Sequence, residues 1–85
     1  MPLFLIERNF IDQLNLTPEN VRQIEDVNDE IGVQWLFSFL SADQKKAYCL
    51  YESSEREALL EQARVLGIPA DVIVEVAKVD PVAMH

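Results

Sequence analysis

The chain has 85 residues, 49% of them apolar and 26% charged, with 15 acidic against 7 basic side chains and a net charge of −8. That is the composition of one globular domain, residues 1–85, and no apolar run approaches the roughly 18 residues that a bilayer span needs. The negative charge repels phosphate backbones and anionic membrane surfaces, so neither nucleic acid nor membrane is an expected partner.

The N-terminus, Met1 to Ile6, has no basic leader and meets Glu7 and Arg8 too early for a secretory signal. Cys49 is the only cysteine, so no internal disulfide can form. Both features point to the cytoplasm. A domain of this size buries only about 60–65% of its unfolded surface. A second chain covering one face would add stability.

Leu3 to Phe10 reads as a first strand, rich in aliphatic and aromatic residues, followed by a loop through Leu16. Thr17-Pro18 supplies a hydroxyl at the N-cap and a proline at the first helical position. Val21, Ile24, Val27 or Asn28, and Ile31 recur at helical spacing, and Gly32 stops the helix. Glu19, Glu25, Asp26, Asp29 and Glu30 make its outer face acidic, with Arg22 the only base among them. Val33 to Leu40 is the second strand and Lys46 to Glu52 the third, joined by the short polar turn Ala42 to Lys45 into an antiparallel hairpin. Ser54-Glu55-Arg56-Glu57 has the pattern of a capping box and opens a second helix, with Leu59, Leu60, Ala63 and Leu66 as its buried stripe. Gly67 and Pro69 end it, and Val72 to Val79 is the fourth strand.

This order is the ferredoxin-like βαββαβ arrangement of an α+β protein: an antiparallel four-stranded sheet, strands one and three central, with both helices on one face. A four-residue turn pairs Phe39 with Tyr48 and Phe37 with Leu50. Simple alternation then puts Trp35, Phe37, Phe39, Tyr48 and Leu50 on one side and Leu36, Ser38, Leu40, Ala47, Cys49 and Tyr51 on the other. Both sides are largely apolar, whereas a sheet with one wet face alternates apolar with polar residues. The second cover is most simply another copy of the sheet, giving a face-to-face homodimer resembling an α/β barrel.

The residues offer little catalytic chemistry. Cys49 has no neighbouring base to lower its pKa and reads as an inert buried thiol. His85, the single histidine, is terminal and reads as frayed. Gly32 and Gly67 are the only glycines, so no phosphate-cradling loop exists. Glu7, Glu52 and Glu75 lie within or at the ends of apolar strands, where a carboxylate could serve as a base or ligand or simply face solvent.

The segments Pro2 to Phe10, Gly32 to Leu36, Lys46 to Glu52 and Gly67 to Val76, taken in order, resemble a family of small bacterial proteins. That family, long catalogued as a domain of unknown function, includes nickel-binding members. The resemblance implies a dimer of ferredoxin-like subunits and nickel as a cofactor. Against nickel, Asn9 and Gln62 stand where such relatives often carry histidine. Cys49 and carboxylates are an inferior donor set for a metal that prefers nitrogen and soft ligands. The chain thus looks like a histidine-poor branch. Such relatives often have a polar residue where this chain has Phe37, which marks the side holding Phe37 as the open one.

Three functions remain open on these grounds. The first is a non-catalytic dimeric module binding a small apolar or aromatic ligand, or a metal ion, with Trp35, Phe37 and Tyr48 as walls and Glu7 or Glu52 as polar anchor. The second is a cofactor-independent oxygenase or isomerase using a carboxylate base in the same place. The third is a structural dimer without a cavity.

Overall fold

The structure, a computed structural model, describes residues 1–12 and 16–82; Gln13, Leu14 and Asn15 of the first loop, and the terminal His85, lie outside the described residues. In chain order come β1 (Leu3–Asn9), α1 (Pro18–Ile31), β2 (Gln34–Leu40), β3 (Lys46–Glu52), α2 (Arg56–Leu66) and β4 (Val72–Val76). The four strands form one antiparallel sheet in the order β2-β3-β1-β4. This is the α+β ferredoxin-like βαββαβ fold, with β1 and β3 at the centre.

Local chemistry sets the boundaries. Thr17 Oγ1 accepts the Asn20 N–H at 3.1 Å ahead of Pro18. At the other end of α1, Gly32 takes the left-handed conformation (φ 90°) and its N–H donates to the Asn28 carbonyl at 2.8 Å. The β2–β3 hairpin closes with the Ser41 N–H donating to the Lys46 carbonyl. Inside it, the Asp43 carboxylate accepts from the Ser41 hydroxyl and the Lys45 N–H, which hold its pKa below the usual carboxylate value.

Phe4 and Ile6 of β1 and Ala47, Cys49 and Tyr51 of β3 point to the helices and pack with Val33 and Leu59 into the core. Alternate strand residues face away, because successive side chains leave a strand on opposite sides.

Three expectations are corrected. β4 ends at Val76, not Val79. The capping box does not form: Glu55 is the N-cap without a side-chain cap bond, and the buried Ser53 hydroxyl donates to the Glu55 carbonyl at 2.8 Å. The inward stripe of α2 is Leu59, Gln62 and Ala63, whereas Leu60 is exposed. Leu60 sits about 100° around the helix from Leu59, outside the face that positions three and four residues on can share.

Because Leu59 is 0% and Leu60 40% exposed, truncating them separates the two stripes. Leu59→Ala should lower the unfolding free energy by about 2–5 kcal/mol. Leu60→Ala should lower it by less than about 1 kcal/mol. Urea denaturation followed by circular dichroism measures both.

Candidate functional site

The face turned away from the helices is built by register. Leu5 is opposite Leu50 on one side and Val74 on the other; Leu3 is opposite Glu52 and Val76; Glu7 is opposite Tyr48 and Val72. Phe37 and Phe39 extend the same surface across Leu50 and Tyr48, and their rings meet edge to face at 5.5 Å. Phe37 is 51% and Phe39 65% exposed, with Val72 and Val74 also open. Such a continuous apolar surface is unusual for an unpartnered face.

Trp35 is not part of it. A β-bulge between Trp35 and Phe37 places Trp35 opposite Tyr51 but Phe37 opposite Leu50. One extra residue on β2 breaks the two-residue alternation at Leu36. The indole therefore lies on the helix side, stacked on Tyr51 with centroids 6.5 Å apart, and its Nε1 donates to Ser38 Oγ at 2.7 Å.

The other expected site residues divide between the two ends of the open face. Phe37 and Glu52 come together in a groove of about 510 Å³ with Leu3, Leu36, Leu50 and Val76. Glu7 and Tyr48 are cross-strand neighbours near Phe39. Glu7 lies four residue steps along β1 from Leu3, the partner of Glu52, or about 13 Å at strand rise. The two carboxylates cannot serve one small ligand. Lys78 borders the groove near Glu52 and gives it a mixed-charge rim.

On the helix side, a polar network runs through the core. Arg8 is 2% exposed, continuing the inward alternation of Phe4 and Ile6. Its guanidinium donates to the Pro69 carbonyl (2.7 Å) and to Gln62 Oε1 (3.1 Å), and lies 5.9 Å from the centroid of the Tyr51 ring. Gln62 Nε2 donates to Tyr51 Oη and to Asn28 Oδ1, both at 2.8 Å. Among the described residues no carboxylate pairs with Arg8; carbonyl oxygens and an aromatic face carry its charge instead.

Beside this network is an apolar cavity of about 60 Å³ whose lining includes Trp35, Cys49, Tyr51, Ile24 and Leu40. Among the described residues no carboxylate lines it. Apolar periodicity alone does not reveal the network, although the sequence carries two signals of it. Arg8 falls at the next inward position after Ile6, and Gln62 lies three residues after Leu59.

A protein-family model described as nickel responsive protein SCO4226-like matches residues 4–76. Among solved structures, the chain is similar to that of SCO4226 from Streptomyces coelicolor A3(2), with a TM-score of 0.69 and 20% identity. The match covers 92% of this chain and 99% of that one. At that identity the likeness shows the fold. No curated protein matches the chain.

Burial raises the Tyr51 pKa above 10.0, and the nearby Arg8 charge offsets only part of that effect. In the unfolded chain the phenol ionises near its ordinary value, so above about pH 10 the unfolded state binds fewer protons than the folded one. The Tyr51 contribution to stability should be fully present below that pH and be lost as pH rises through the folded pKa. Urea midpoints measured across pH 9–11 should fall at the alkaline end. Tyr51→Phe should flatten this fall and lower neutral-pH stability by about 1 kcal/mol through the lost Gln62 bond.

Proposed function

The chain belongs to the SCO4226-like family of nickel-responsive proteins, and we propose that it acts as a non-catalytic binding module. Two copies appose their open sheet faces in an α/β-barrel-like homodimer. A small apolar or aromatic ligand occupies the groove, with Phe37 and Leu50 as walls and Glu52 as the polar anchor. The observation that carries this reading is the open face itself, where all four strands present apolar side chains to solvent. Burying such surface against a second copy is favourable at about 25 cal/mol per Å². The outward-facing sheet then gains the cover that its sequence pattern lacks a wet side to replace.

Nickel, which the family description names, does not fit the residues of this subunit. Among the described residues no group of three or more His, Cys, Asp or Glu side chains comes together. Cys49 is buried against the apolar cavity. Gln62, at a position where the resemblance expects histidine, has both ends of its amide engaged, and the Arg8 guanidinium is 3.1 Å away. A divalent cation there would share a buried site with a positive charge, an arrangement that low-dielectric surroundings strongly disfavour.

Light scattering on the purified protein should give twice the 9.7 kDa chain mass. Phe37→Glu, at a half-exposed position, should return a folded monomer and abolish the fluorescence enhancement of the neutral dye N-phenyl-1-naphthylamine. A 9.7 kDa wild type, or a dimeric Phe37→Glu variant, contradicts the assembly. Native mass spectra taken with and without micromolar nickel should be identical; a specific mass gain would contradict the assignment of a ligand other than metal.

A further inference from the structure

The cavity on the helix side has no part in the proposed function, and among the described residues it shares no lining residue with the open-face groove. Its surface is almost wholly apolar. Among the described residues Arg8 is the one charged member of its wall, and the guanidinium is engaged by the Pro69 carbonyl, Gln62 and the Tyr51 ring. The Trp35 Nε1–H is likewise spent on Ser38 Oγ. A buried water needs about two to four polar partners, and a buried ion needs a counter-charge. These walls suit neither.

The cavity also has a way in. A hollow of about 180 Å³ lies at the surface between α1 and the end of α2, with Asn20, Gln23 and Leu66 in its wall. Leu16, Ile24 and Ile68 line both spaces and form their common boundary. Leu16 is 40% exposed, and Ile24 and Ile68 are half-buried. Side chains at the surface change rotamer within nanoseconds, so a small molecule can pass them without unfolding the domain. We propose that the cavity is a second binding site, for a neutral apolar molecule the size of one aromatic ring that enters between Leu16, Ile24 and Ile68. At about 15 Å³ for each water-sized sphere the cavity holds about four, equivalent to about 120 Å³ of liquid water, and apolar cavities of about 150 Å³ take benzene. Such a guest supplies the dispersion contacts that an empty wall lacks. A carboxylate would leave water for a surface with nothing free to receive its charge.

The test is titration of ¹³C-methyl-labelled protein with benzene. Saturable shifts are expected at the methyls of Ile24, Leu40, Ala47 and Ile68, which line the cavity. Benzoate should bind about tenfold more weakly or worse. Ala47→Val, which narrows the cavity from the buried side, should weaken benzene binding by a similar factor; Leu40→Trp, at an exposed position of the edge strand, should do the same and carries the comparison if the core variant does not fold. Phe37→Glu, which removes the open-face site, should leave the cavity shifts and their midpoint unchanged, so the two sites can fail separately. The proposal is overturned by shifts that stay linear up to the solubility limit of benzene, by equal affinity for benzoate, or by unaltered affinity in the folded cavity variants. Loss of the cavity shifts in Phe37→Glu would also overturn it, by showing that they only report binding on the open face.

Discussion

A four-stranded sheet has two faces, and the two helices among the described residues cover only one. The rest of the structure depends on that constraint. α1 and α2 together cover Phe4, Ile6, Ala47, Cys49 and Tyr51, while Leu5, Phe37, Phe39, Leu50, Val72 and Val74 face outward. Folding alone therefore leaves apolar surface in contact with water, and the proposed association would remove it. The groove around Phe37 and Glu52 owes its chemistry to the same circumstance. It is apolar because it lies on a face patterned for burial, and it ends in a carboxylate because the β3 strand terminates there.

The element order was legible because each boundary has a local cause. Thr17-Pro18, Gly32 and Gly67 act within a few residues, and the hairpin register follows from the length of its turn. The bulge at Leu36 was not legible, since nothing in Trp35-Leu36-Phe37 distinguishes regular alternation from one inserted residue. That single slip moves Trp35 from the expected ligand face to the core. It also brings Leu36 into the groove. The stripe of α2 was misread for a different reason. Hydrophobicity alone favoured Leu60, whereas the helical face shared with Leu59 contains Gln62, and its amide is buried at no loss because Arg8, Tyr51 and Asn28 satisfy it.

Family membership and local chemistry point in different directions over nickel. The family description names the metal, yet the interior of this subunit is arranged around a guanidinium and three neutral polar side chains. Such a network is favourable only when its members are satisfied together. Its hydrogen bonds tie β1, β3, α1 and α2 to one another. What the site offers a ligand is shape and apolar surface.

The measurement that tests the central claim most directly is an isotope-filtered nuclear Overhauser experiment on an equal mixture of labelled and unlabelled protein. Apposition of the open faces predicts intermolecular contacts among Leu5, Phe37, Leu50 and Val74, and none from Leu59 or Ala63, which face the core between sheet and helices. Contacts confined to the outer helix surfaces, or no intermolecular contacts at all, would contradict it.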